Sequence, residues 1–300
     1  MEVALHIREA REAGAVIRLG NALGWEYSSK LSNWMDAVIT RFAALPIDRY
    51  YFGTEFCENL LPSRESVRAM VASGKLITLL TPYVSNSGLR ELRELFCLLP
   101  EKTEVVFADW GVLQVLRQEF PALTPVQGRL LNKSLRDPRV TGLYAIEGAH
   151  NPTLDAMRSS NLDNVSYANL LARFGVTRVE MDQLPQGNSY DLGSVQLKAH
   201  VYAPFGFIST ARSCLAAGLH YRGADKFQPG APCRHECQTN LLEYSYTNSP
   251  FENRDQKFWL KGNTYFYTHT DAMLDELSAK IESGVVERLV FQPRVPMVES

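Results

Sequence analysis

Eight short runs rich in β-branched and aromatic residues recur along the chain, most of them separated by stretches of helical length. No other feature restricts the fold as much. The runs are AVIRLG (15–20), DRYYFG (48–53), KLITLLTP (75–82), TEVVFAD (103–109), LTPVQGRLLN (123–132), VTRVEMD (176–182), VQLKAHVYA (195–203) and RLVFQP (288–293). Between them, residues 28–45, 64–73, 87–99, 111–120 and 164–175 carry apolar side chains at spacings of three and four, the period of an amphipathic helix. Gly175 follows Phe174 where a helix C-cap calls for left-handed backbone. Alternating strands and helices build parallel sheets, and eight units predict a TIM-like (β/α)8 barrel, regular or distorted, with an open doubly wound sheet as the alternative. The working face of such a barrel is made of loops at the C-terminal ends of its strands.

The 300 residues suit a single barrel-like domain over 1–300, and no internal repeat or linker divides them. Loops 133–163 and 215–256 are longer than a βα connection needs, and loops of that length tend to carry function. The alternating stretches 241–249 and 257–270 predict a small antiparallel annex. With 31 basic and 33 acidic residues the net charge is -2, which disfavours nucleic acid as the main partner. The N-terminus MEVALHIREAREAG is charged throughout and no run reaches the length of a membrane span, so we expect a cytoplasmic protein. In a reducing compartment, clustered cysteines are metal ligands or catalytic groups more often than disulfides.

The chain has five cysteines, three of them between 214 and 237. Cys57 lies four residues past the second strand, Cys214 beyond the seventh, and Cys233 and Cys237 in the loop that follows. A barrel would bring all four to one rim. A Cys-x3-Cys pair can present two thiolates to one ion or cluster, and two further cysteines would complete four-fold sulfur ligation, by zinc or by an iron–sulfur cluster. Cys97, among leucines in the helix over 87–99, reads as a small buried hydrophobe.

The order of Y-x-G-x-x-x-C at the second strand (Tyr51 to Cys57), S-T-A-R-S-C (Ser209 to Cys214) and a downstream C-x3-C (Cys233 to Cys237) resembles the collagenase-like peptidase family U-32, within it the UbiU/UbiV-type oxygen-independent hydroxylase proteins. The resemblance runs in motif order from the first strand to Cys237 and is specific around the cysteines. It implies a [4Fe-4S] cluster held by Cys57, Cys214, Cys233 and Cys237, hydroxylation of an aromatic or other small-molecule acceptor without molecular oxygen, prephenate as oxygen donor and co-substrate, and a second family member as partner in a heterodimer. The sequence departs from the family in the extra Ser213 before the second cysteine, the longer interval from Cys214 to Cys233, the inserted loop 133–163, and the loss near Lys198 of a glutamate found in the family's peptidase motif.

Four thiolates saturate a cubane's irons, which would leave the cluster as an electron relay or a structural staple. Arg212, Arg234 and His235 are close enough in sequence to donate hydrogen bonds to its sulfurs or offset its charge. For the substrate, Arg129 and Asn132 at the end of the fifth strand and Glu147 and His150 in the long loop are candidates to grip a carboxylate, arginine being suited by its planar fork. Trp110, Tyr144, Phe205 and Phe207 could flank a ring, although core packing is their default role. Two alternatives compete: a cysteine-dependent peptidase with Cys214 as nucleophile and His200 or His235 as base, and a non-catalytic, metal-stabilised partner subunit.

Overall fold

The computed structural model describes residues 1–8, 10–13, 41–42, 44–137, 151–188, 192–227, 233–244 and 258–296. Its central feature is a closed parallel barrel of eight strands: β1 (Glu2–Ile7), β2 (Arg49–Gly53), β3 (Leu76–Leu80), β4 (Glu104–Phe107), β5 (Thr124–Gln127), β6 (Arg178–Asp182), β7 (Lys198–Ala203) and β12 (Val286–Phe291), closed by β1 pairing with β12. The (β/α)8 expectation therefore holds, with seven strands where the sequence predicts them. The eighth is a correction. The first strand is Glu2–Ile7, while the expected run 15–20 and most of the helix over 28–45 lie outside the described residues. Its one charged residue, Glu2, joins the ionic layer inside the barrel.

Helices α1 (Arg64–Ala72), α2 (Asn86–Phe96), α3 (Trp110–Glu119), α4 (Asn151–Arg158), α5 (Val165–Arg173) and α7 (Asp271–Glu282) lie between the strands. Side chains of Ser63, Ser85, Asp109, Asn164 and Thr270 accept the first free backbone N–H groups at five of their N-termini. Alternate strand residues, such as Val3, Leu5 and Ile7, bury against the helices with Val67, Leu92, Leu95 and Leu274. The complementary set faces inward: Ala4, Tyr51, Leu80, Val106, Val126, Tyr202 and Val290 form one buried layer.

Below that layer, at the N-terminal ends of the strands, the barrel is ionic. Glu2 pairs with Arg49 at 2.7 Å and with Arg288; Glu104 accepts from Arg288 and from Thr78 at 3.0 Å; Glu287 holds Arg178 at 2.9 Å and Lys198 at 2.8 Å. His200 sits here as well, its ring between Tyr51 and Glu287, 3.2 Å from each.

The opposite mouth is covered by a four-stranded antiparallel sheet in the order β8 (Phe205–Thr210), β11 (Thr264–Thr268), β10 (Phe258–Lys261), β9 (Leu242–Tyr244). The predicted annex is thus present, with one strand the sequence reading lacked, β8, which follows β7 across the cis Ala203–Pro204 bond. Its core joins the barrel's loops: Phe56, Leu60, Ala108 and Leu130 bury together with Phe205, Phe207, Trp259 and Phe266. Phe56 meets Phe207 and Phe266 edge-on at 5.7 and 5.1 Å, each pair adding about 0.5–1.5 kcal/mol beyond burial. Among the described residues no helix is long and apolar enough to cross a membrane.

Candidate functional site

The segment carrying Cys57 is launched by a backbone constraint. Gly53 ends β2 at φ 111°, and a Cβ there would stand 2.6 Å from the Leu80 carbonyl oxygen, so only glycine fits without moving backbone. The chain then runs through buried Thr54 and Glu55, plants Phe56 in the aromatic cluster and reaches Cys57, the residue before the 3-10 turn 58–60. Asn263, in the turn between β10 and β11, donates to the carbonyls of Phe56 at 2.8 Å and Ala211 at 2.6 Å. One buried amide thereby ties the first cysteine's segment to the stretch leading into the second.

Cys214 accepts a hydrogen bond from the Ala217 N–H and Cys233 one from the His235 N–H, both at 3.4 Å. Cys237 lies in the short helix α6 (Glu236–Thr239), buried in the cluster that contains Phe56 and flanked by Cys57. Glu236 stands 2.8 Å from His220, which links α6 to the turn after Cys214. The thiols are near enough to influence one another. Burial pushes the Cys57 thiol up to about 11, with the charges of Cys233 and Cys214 adding to the rise. Burial takes Cys237 to about 12, reinforced by Cys57, Cys214 and Cys233, and it raises Cys214 too. A nucleophilic cysteine needs the opposite shift. Among the described residues no three His, Cys, Asp or Glu side chains are grouped tightly enough to hold a metal ion.

His235, between the paired cysteines, has left-handed backbone at φ 59° and ψ 35°, an uncommon conformation for a side-chain-bearing residue. Arg212 is exposed, its guanidinium 5.6 Å from the centroid of the Tyr83 ring, and Arg234 is exposed beside Cys233.

The remaining candidates are redistributed. Arg129 is not a rim residue awaiting a carboxylate: it is fully buried, donating to Glu55 at 3.1 and 2.8 Å, to Asp182 at 2.7 Å and to the Phe205 carbonyl at 3.3 Å. With the Gln292 amide turned so that its oxygen rather than its nitrogen faces Arg129, that oxygen accepts the last N–H at 3.0 Å, and the guanidinium lies 3.8 Å over the Tyr202 ring. Its fork is satisfied by the protein because an uncompensated buried charge is too costly to leave waiting. Asn132 is buried and accepts from Ser134 at 3.1 Å. His150, Glu147 and Tyr144 lie outside the described residues. Cys97 is exposed rather than buried, because it follows Arg90 and Arg93 around α2 while Leu92, Leu95 and Phe96 take the core face. Phe205 and Phe207 are core residues, but Trp110 is 40% exposed, leaning on Phe107 and Tyr167. His200 is buried in the barrel's ionic layer and is no base for Cys214 on the rim.

Sequence reasoning missed Glu55, Asp182, Arg136 and Asn263. Asp182 receives both Arg129 and Arg136, and the Arg136 guanidinium lies 4.1 Å from the centre of the Phe207 ring. The signal for Asn263 was present in KGN, a turn triplet between two alternating runs. The partners of Arg129 had none, since they are supplied by the end of β6 and the loop after β2, 53 and 74 residues away.

No protein-family model matches the chain, and no curated protein matches it significantly. Among solved structures it is similar to a glycoside hydrolase family 18 N-acetylglucosaminidase from Paenibacillus barengoltzii (9% identity, 97% of this chain and 94% of that one, TM-score 0.28). It is also similar to the spore cortex-lytic enzyme SleL of Bacillus megaterium QM B1551 (7% identity, 97% and 70%, TM-score 0.32). Likenesses at these scores carry no argument about fold or activity.

Proposed function

We propose that the chain is an iron–sulfur protein of an oxygen-independent hydroxylation system, holding a [4Fe-4S] cluster on Cys57, Cys214, Cys233 and Cys237. The observation that supports this reading is geometric: Cys57, from the segment after β2, packs against the same buried cluster as Cys237 of α6. An all-thiol donor set is soft and selects iron–sulfur clusters or zinc. A single zinc requires its ligands at about 2.3 Å from one centre, whereas a cubane takes one thiolate at each iron.

When bound, the cluster would supply one-electron transfer at a potential set by burial and by hydrogen bonds to sulfur. This chain's part is to bury Cys237, to aim the Ala217 and His235 N–H groups at Cys214 and Cys233, and to hold Cys57 in place through Phe56 and Asn263. The resemblance to family U-32 supplies the reaction class: hydroxylation of an aromatic or other small acceptor with prephenate as oxygen donor, by this chain alone or paired with a second family member. The peptidase alternative fits less well, because its nucleophile Cys214 is raised rather than lowered.

Anaerobic purification tests the reading. We expect brown protein with about four iron and four sulfide per chain, lost in Cys57→Ala, Cys214→Ala, Cys233→Ala and Cys237→Ala and kept in Cys97→Ala. Colourless protein carrying zinc would favour the metal-stabilised partner. Iron-free protein whose cleavage of casein disappears in Cys214→Ala would favour the peptidase.

A further inference from the structure

Glu180 lies on β6 between Val179 and Met181, which bury against the helices, so its own side chain enters the barrel, where it is fully buried. Tyr202 donates to its Oε2, and among the described residues Oε1 has no hydrogen-bond partner. The titratable and charged groups that face it are Tyr51 on β2, Glu55 after β2, Arg129 after β5 and Tyr202 on β7. Burial raises this carboxyl well above its usual value, and the negative charge of Glu55 adds to the rise, against the pull of the Tyr202 and Tyr51 hydroxyls and of Arg129. Glu180 is therefore a neutral acid at neutral pH, holding a proton in the middle of the barrel.

From Tyr51 a hydrogen-bonded chain runs down to the N-terminal end of the barrel. The Tyr51 hydroxyl is 3.2 Å from His200 Nδ1, and His200 Nε2 is 3.2 Å from Glu287 Oε2. The neighbours fix the tautomer. Arg288 Nη1, which can only donate, also stands 3.2 Å from Nδ1, so Nδ1 is the bare acceptor and Nε2 carries the hydrogen. Burial holds the imidazole below its ordinary value, which keeps it neutral and leaves Nδ1 open to a proton. Glu287 ends the chain with its side chain 26% exposed. Tyr202, in contrast, leads nowhere: among the described residues its hydroxyl bonds Glu180 alone.

We propose that Tyr51, His200 and Glu287 form a proton path between Glu180 and solvent at the barrel floor, making Glu180 an acid–base group that the barrel can load and unload. On release, the Glu180 proton passes from Oε1 to the Tyr51 oxygen, the Tyr51 hydroxyl proton passes to His200 Nδ1, and the Nε2 proton passes to Glu287, which hands it to water. Glu180 is left as a carboxylate and His200 as its other tautomer; uptake retraces the steps and restores both. Glu287 suits the last position, because hydrogen bonds from His200, Lys198 and Arg178 hold it well below the usual carboxylate range and it keeps no proton. The path includes no cysteine, so iron-free protein carries it too.

Infrared spectroscopy of the full chain, mixed rapidly into heavy water, tests this. Wild type should show the carbonyl stretch of a protonated carboxylic acid, absent from Glu180→Gln, and that band should move to its deuterated position within the mixing time. Tyr51→Phe, His200→Phe and Glu287→Gln should each slow the move by more than about tenfold, because exchange must then wait for the barrel to open. Tyr202→Phe, off the path, should leave it fast. Circular dichroism identifies the variants that fold, and Glu287→Gln, at the exposed end, reads the path should the buried substitutions not fold. No band lost in Glu180→Gln, slow exchange in wild type, or wild-type exchange in folded Tyr51→Phe or Glu287→Gln would each overturn the proposal. Slowing by Tyr202→Phe equal to that by Tyr51→Phe would overturn it as well.

Discussion

Arg129 shows how one side chain can be essential to a site without touching a ligand. Five N–H groups meet two carboxylates, a backbone carbonyl and an amide oxygen, with aromatic rings of Tyr202 and Phe56 on either side at 3.8 and 5.3 Å. Burial pushes Glu55 upward against the pull of Arg129, so this carboxylate depends on its partner to stay charged. Arg129→Ala should destabilise the protein by about 3–5 kcal/mol, because Glu55 and Asp182 would remain buried without it. Urea unfolding checks this, and a loss below about 1 kcal/mol would mean that the two acids simply take up protons at little cost. Since Glu55 lies two residues before Cys57, the same arginine holds the approach to the cysteine rim.

At the scale of elements, the hairpin of β10 and β11 acts as a clasp. Asn263 in its turn reaches the Phe56 and Ala211 carbonyls, Thr264 bonds Thr210 at 2.8 Å, and the Gly262 carbonyl accepts from Ala216 at 3.4 Å. The strand that follows packs Tyr267 so close to Gly206 that a Cβ there would fall 2.2 Å from the ring. Replacing Asn263 with alanine leaves the buried Phe56 carbonyl and the more exposed Ala211 carbonyl short of a donor, at a cost of about 1–3 kcal/mol. The expected sign beyond stability is specific: Cys57 in iron-free Asn263→Ala should react faster with a maleimide than in wild type, while exposed Cys97 keeps its rate. Unchanged labelling of Cys57 would remove the clasp from the account.

For the whole molecule, acid is the informative stress. Burial holds the His6 and His269 imidazoles down at about 4, whereas in the unfolded chain they titrate near the ordinary value of 6.5. The unfolded state therefore binds more protons than the native state between about 6.5 and 4, and stability must fall as pH falls through that interval. Each histidine contributes roughly 3 kcal/mol at full effect. Glu104 adds a second, lower step: burial opposes its ionisation, but Arg288 and Arg49 bring it down to about 2, so its contribution is present above 4.5 and drains away towards 2. The urea midpoint of wild type should decline steadily from pH 7 to 4, and His6→Gln should flatten part of that decline. A midpoint independent of pH over this range would contradict the buried, neutral assignment of both rings.

The chain by itself determined the architecture, since period-two and period-3.6 patterns are local properties and eight alternations leave few closed arrangements. It also raised the expectation that four cysteines share one rim, because all four fall in loops that follow barrel strands. It could not reveal which polar residues serve the interior. Arg129 reads as a substrate grip until Glu55 and Asp182 arrive from distant segments, and EVALHI goes unread as a strand until Arg49 and Arg288 neutralise Glu2. Tertiary structure decided these because the sign of a charge's contribution depends on partners and burial, and neither is encoded within hydrogen-bonding distance along the sequence.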